Sequence, residues 1–201
     1  MSVIICPGIH EPALTESFVS ALLELNSDNS RRLTSVNLLK YPAEGFLALS
    51  GFHIVEFLSV NAERLVVRHS LSNKLESPLV FISFSAGVVG AITAAYWWQL
   101  LGGHVKAFIA IDGWGVPLWG NFPIHRMSHD YFTHWSSSLL DSRHNNDNFY
   151  ADPPIDHLQM WRSPEMVQGW CVDSSSGGSP PQVRLTAAEF LYMLLKRYEE
   201  N

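Results

Sequence analysis

The residues most suited to chemistry lie at Ser83-Phe84-Ser85-Ala86-Gly87. This segment joins a strand-like apolar run, "PLVFIS" (78–83), to a helix-like apolar run, "VVGAITAAYWWQLL". A serine on so sharp a turn needs small residues two before and two after it, because the backbone folds too tightly for bulk. Ser83 and Gly87 meet that need, and Gly90 lets the helix pack close. The start of the helix offers amide N–H groups and a dipole that favour developing negative charge. Ser85 is therefore a candidate nucleophile, and a serine hydroxyl needs a base to take its proton. The chain supplies nine histidines. A second loop, "CPGIHE" (6–11), turns at Pro7-Gly8. Acyl transfer needs two N–H donors at the oxyanion, each worth about 3 kcal/mol.

Two other chemistries fit less well. Gly87 and Gly90 do not match Gly-x-Gly-x-x-Gly, and no Gly-x-x-x-x-Gly-Lys occurs, so a phosphate-binding loop is disfavoured. His125, His129, Asp130 and His134 form a cluster, and on a helix His125 and His129 would share a metal-binding face. Pro123 and a mixed pattern argue against a helix there, and no His-Glu-x-x-His is present, so no metal is assigned.

These residues require a scaffold. "SVIICPG" (2–8) reads as a buried strand. Leu14, Phe18, Leu22 and Leu25 then mark one helical face. Residues 33–42 are a second strand candidate ended by Pro42. Residues 52–69 carry a helical stripe of Ile54, Phe57, Leu58 and Leu65. Residues 78–83 and 105–112 are further strands, and 123–130 is a weak fifth. Gly102 and Gly103 cap the helix between the third and fourth strands. The stretch 172–182, "VDSSSGGSPPQ", reads as a surface loop. A last helix opens at Thr186 with Glu189 at capping-box spacing and carries Phe190, Leu194 and Arg197. Alternating strands and helices imply parallel pairing with right-handed crossovers. The expected fold is an α/β three-layer sandwich, one domain over 1–201, with a mostly parallel sheet of about five or six strands flanked by helices. Ligands then bind just after the carboxyl ends of the strands.

With Ser83-Phe84-Ser85-Ala86-Gly87 in that setting, the chain resembles a minimal member of the α/β-hydrolase superfamily, from the first strand to about residue 170. Ser83 replaces the first glycine of the family's Gly-x-Ser-x-Gly motif. The resemblance implies an oxyanion hole from the amide after the nucleophile, here Ala86, and one on the early loop, here assigned to Ile9. His10 is assigned to cover the substrate. The family's chain order of serine, acid, histidine excludes His10, His53 and His69 as the base. His104 opens a strand at its wrong end. His157, in "ADPPIDHLQMWRSPEMV", precedes a helix as the family's closing histidine does. Asp130 is the favoured acid. Asp112, after "AFIAI", is the rival, since some members carry the acid one strand earlier. Asp156 adjoins His157 and is poorly placed to reach the same ring.

Trp114, Val116, Leu118, Trp119 and Phe122 are unusually apolar for a loop. They suggest an acyl-binding wall built on Trp114 and Trp119, or packing over the sheet end. The expected substrate is a small-molecule carboxylic ester or thioester, cleaved through an acyl-enzyme without a cofactor. A non-catalytic binding module on the same fold and an acyltransferase using the same site are the alternatives.

Composition agrees with this scaffold. The chain has 201 residues, 47% of them hydrophobic and 16% charged, which suits one packed core and excludes a disordered chain. A net charge of −6 disfavours nucleic acid as a partner. Cys6 and Cys171 cannot form a disulfide framework. The longest apolar stretch, Val88 to Leu101, is too short to span a bilayer, so no stable membrane insertion is expected. No secretory signal is visible, and a cytoplasmic location is the expectation.

Overall fold

The computed structural model describes residues 1–25, 36–61, 77–140, 147–173 and 182–200. Its elements run β1 (Ser2–Cys6), α1 (Pro12–Leu25), β2 (Asn37–Lys40), α2 (Gly51–Val60), β3 (Leu79–Phe84), α3 (Gly87–Leu100), β4 (Val105–Ile111) and β5 (Ile124–Ser128). They continue with α4 (Tyr131–Ser138), β6 (Asp147–Ala151), the short α5 (Gln159–Arg162), β7 (Gln168–Asp173), β8 (Gln182–Thr186) and α6 (Ala187–Glu200).

The eight strands among the described residues join one sheet in the order β2-β1-β3-β4-β5-β6-β7-β8. β1 to β6 are parallel, and β7 and β8 close the far edge antiparallel. β1 and β3 are buried at every residue and mostly apolar because both faces of a parallel sheet are covered. Alternate residues feed two cores. Val3 and Ile5 pack with Phe18 and Leu22 of α1 and with Phe190 and Leu194 of α6. Ile4 and Cys6 pack with Ile54 and Leu58 of α2 and with Ala91 and Ala95 of α3. The three-layer α/β architecture therefore stands, but the sheet has eight strands rather than five or six.

The difference lies in the last third. β6 is only five residues long, and β7 and β8 flank the Ser/Gly/Pro-rich stretch expected to be a loop. Residues 174–181 of that stretch lie outside the described residues, as do 62–76, with Leu65 of the expected second helix, and 26–35 before β2. The capping box at the last helix is present. The Thr186 amide donates to Glu189 Oε2 at 2.9 Å, and the Glu189 amide donates to Thr186 Oγ1 at 3.1 Å. Cys6 and Cys171 are both buried. No helix among the described residues is long and apolar enough to cross a membrane.

The chain leaves β1 toward β2 on one side and reaches β3 on the other. This reversal opens a crevice at the carboxyl ends of β1 and β3, where ligands of open α/β sheets bind.

Candidate functional site

Ser85 and Asp112 are placed by the same device. Each follows its strand directly and extends the ladder by one rung. The Ser85 amide donates to Ile111 O at 2.9 Å, and the Asp112 amide donates to Met127 O at 2.8 Å. Each then takes a left-handed backbone conformation, φ 52° at Ser85 and 51° at Asp112, which turns the chain out of the sheet plane. Such angles are uncommon for residues other than glycine and point to a constraint at that position. Ser83, standing where the motif has its first glycine, is buried with its hydroxyl donating to Ile109 O at 3.3 Å.

The loop after β1 lies against this turn. A Cβ on Gly87 would sit 2.3 Å from Pro7 O and 2.8 Å from Cys6 O. A Cβ on Gly8 would sit 2.9 Å from Phe84 O and 3.1 Å from the Ser85 Cβ. Both glycines are needed for the two loops to touch. Ala86 opens α3, where first-turn amides lack an intrahelical acceptor. Ile9 follows Gly8 with its side chain 52% exposed.

His157 arrives on the turn between β6 and α5. Ile155 N–H donates to His129 O at 3.1 Å and ties that turn to the end of β5. Asp156 is used locally, its carboxylate accepting the Leu158 amide at 2.9 Å. The His157 ring stacks on Phe84, with centroids 4.9 Å apart, and Phe84 stacks in turn on Trp161. Trp161 stacks on Phe18 at 3.7 Å. This aromatic column fixes the height of the imidazole above the sheet.

The three side chains meet. His157 Nε2 lies 2.9 Å from Ser85 Oγ, and His157 Nδ1 lies 3.0 Å from Asp112 Oδ2. The carboxylate accepts only, so the Nδ1–H donates to Asp112 and leaves the Nε2 lone pair facing the hydroxyl. Asp112 Oδ1 accepts two further bonds, from the His129 amide at 2.8 Å and from His129 Nδ1 at 3.0 Å. Burial of the Asp112 carboxyl pushes its pKa up, but the hydrogen bonds from His129 and His157 together outweigh burial and hold it below the usual carboxylate range. The His129 pKa is raised, chiefly by its hydrogen bond to Asp112.

The favoured acid is therefore corrected. Asp130 does not reach His157. It is the N-cap of α4, where its Oδ1 accepts the Thr133 amide at 2.6 Å. The histidine cluster weighed and set aside as a metal site is dispersed. His125 is buried on β5 between Asp147 O at 2.8 Å and the Tyr198 hydroxyl at 2.7 Å. His134 sits on α4 beside Tyr150. Asp112, His129 and His157 do bring donor atoms within 4.8 Å of one another. Both Nδ1 atoms carry the protons of their hydrogen bonds to Asp112, so neither presents a lone pair to a cation.

The apolar loop after β4 divides. Leu118 and Phe122 are buried in the core with Val88 and Phe108. Trp114 and Trp119 are 63% and 42% exposed, and Trp114 Nε1 donates to Ser136 Oγ at 3.0 Å. Neither lines the cavity that adjoins the site. That cavity, of about 230 Å³, lies on the other flank, walled by Pro7, Gly8, His10, Thr15, Lys40 and Tyr41. His10 lines it, with Nδ1 donating to Glu11 O at 2.9 Å and its ring edge-on to Phe84. Sequence reasoning missed the support given by His129, Phe84 and Trp161, because contacts across strands leave no spacing signal in the chain.

No protein-family model matches this chain, and no curated protein sequence matches it either.

Proposed function

We propose that this chain is a serine hydrolase of the α/β-hydrolase type that cleaves a carboxylic ester or thioester. The observation that carries the reading is the continuous hydrogen-bonded run from Ser85 Oγ through both nitrogens of His157 to the buried Asp112 carboxylate. The serine on its left-handed turn between β3 and α3 supports it. So does an acid one strand earlier than Asp130, a placement that some members of the resembling superfamily use.

In this mechanism Ser85 Oγ attacks the acyl carbon while its proton passes to His157 Nε2. Asp112 holds the productive tautomer and stabilises the imidazolium that forms, without itself taking the proton. The amides of Ala86 and Ile9 are assigned to the oxyanion, on the strength of the superfamily resemblance and the packing of loop 7–9 on the turn. His157 returns the proton to the leaving alkoxide or thiolate, giving an acyl-Ser85 intermediate. Water, deprotonated by His157, then releases the carboxylic acid and restores the hydroxyl. No cofactor enters these steps.

The cavity beside Gly8 favours a compact substrate. At about 230 Å³ it falls below the roughly 300 Å³ at which drug-sized pockets begin. Its walls mix prolines and Tyr41 with Lys40 and Thr15, which suits a short acyl or alcohol group of mixed polarity.

The test pairs a fluorophosphonate probe with p-nitrophenyl esters of increasing acyl length. Ser85→Ala should abolish both probe labelling and hydrolysis, and short esters should be preferred. Labelling that persists in Ser85→Ala would move the nucleophile elsewhere, and absence of turnover and labelling in the unaltered protein would overturn the enzymatic reading.

A further inference from the structure

His129 has no part in the mechanism above, yet it makes two of the three hydrogen bonds to Asp112. The division is asymmetric: Oδ1 takes the amide and ring N–H of His129, and Oδ2 takes the ring N–H of His157. The His129 ring stands nearly perpendicular to that of His157, with centroids 5.9 Å apart. It does not touch Ser85.

We infer that His129 is a positioning residue: it holds Oδ1 so that Oδ2 stays on His157, and thereby fixes the base against Ser85. This inference rests on the hydrolase reading. The physical need is specific. The terminal torsion of an aspartate is broad, so a carboxylate gripped at one oxygen can swing. The Asp112 side chain is 1% exposed, so few waters can replace a lost donor. His157 is 41% exposed and depends on Asp112 for its orientation within the ring plane, since stacking on Phe84 fixes only the plane. Losing the ring of His129 leaves the amide bond to Oδ1 and frees the carboxylate to tilt. The consequence falls on the alignment of His157 and so on the chemical step, rather than on substrate binding.

The experiment compares His129→Leu with His129→Asn, which keeps an N–H donor near the position of Nδ1. For His129→Leu, kcat should fall by about 10- to 100-fold, the scale of one hydrogen bond to a charged group, with KM within about twofold. His129→Asn should recover much of that loss. A kcat within twofold of the unaltered protein in His129→Leu, or an equal loss in both folded variants, overturns the inference. A readout independent of turnover comes from the NMR resonance of the His157 Nδ1–H in the Ser85→Ala background, whose downfield position reports its hydrogen bond to Asp112. There His129→Leu should move this resonance upfield, and an unmoved resonance overturns the proposal whether or not the chain hydrolyses esters. Should His129→Leu fail to fold, His129→Ala, which also removes the ring donor, is read by the same criterion. Absence of Ser85-dependent turnover accompanied by a moved resonance would instead refute the hydrolase reading and leave the positioning of His157 standing.

Discussion

Replacing Asp112 by Asn tests whether this carboxylate, and not that of Asp130, supports the base. The amide keeps the shape but presents one acceptor and one donor group where two acceptors stood. Three N–H donors converge on the native carboxylate, so in Asn one of them must face an NH2 group. If the oxygen stays with the two His129 donors, His157 is forced toward the wrong tautomer and Nε2 carries a proton against Ser85. The size of the effect follows from the 3.0 Å separation of Nδ1 and Oδ2. At an effective dielectric of about 20, unit charges at that distance interact by about 5.5 kcal/mol, or about four powers of ten in rate. His157 is 41% exposed, and solvent screening lowers this to between two and four powers of ten. Asp130→Ala should behave oppositely. It removes the cap of α4 and costs about 1 kcal/mol of stability, with kcat/KM within a fewfold of the unaltered protein. Ester hydrolysis and fluorophosphonate labelling rates, measured beside thermal unfolding, separate the two. A near-normal Asp112→Asn together with an inactive, folded Asp130→Ala would refute the assignment.

Gly87→Ala should force the loop at Cys6 and Pro7 off the serine turn, because the new Cβ would meet Pro7 O at 2.3 Å. The expected cost is about 1–3 kcal/mol with slower probe labelling, and an unchanged melting temperature by circular dichroism would contradict the close approach. His125 supplies a pH dependence far from the site. Burial lowers its pKa from 6.5 to about 4. Between those values the unfolded chain binds a proton that the native ring refuses, so stability falls as pH falls through the window, by up to about 3 kcal/mol. Urea denaturation at pH 7 and pH 5 should show a smaller difference in His125→Gln than in the unaltered protein, and an equal difference would rule His125 out as the source.

The parts of this molecule that could be read from the chain are those written in local pattern. β3, Ser85, Gly87 and α3 form an apolar strand, a small-residue turn and an apolar helix in succession, and each is legible at its own position. His157 was reachable from the chain order of the resembling superfamily. The acid was not, because two aspartates follow strands and only tertiary contact separates them. A local cue did exist at Asp130, which precedes Tyr131 and Phe132 with Thr133 three residues on, the spacing of a helix N-cap. The β6–β8 edge was hidden for another reason. "DNFYA" and "QVRLT" are five residues each, and they acquire strand character through pairing, the first with β5 and β7 and the second with β7. His129 stood in the chain as one member of a histidine cluster, and its two bonds to Asp112 depend on the neighbouring ends of β4 and β5.

The left-handed angles at Ser85 and Asp112 each cost on the order of 1 kcal/mol that glycine would not incur. At Ser85 a selection for heat resistance alone would be drawn to glycine, which takes away the hydroxyl on which the proposed reaction depends. At Asp112 the three hydrogen bonds accepted by the carboxylate oppose the same exchange. Durability and the proposed reactivity thus compete at the first position and agree at the second.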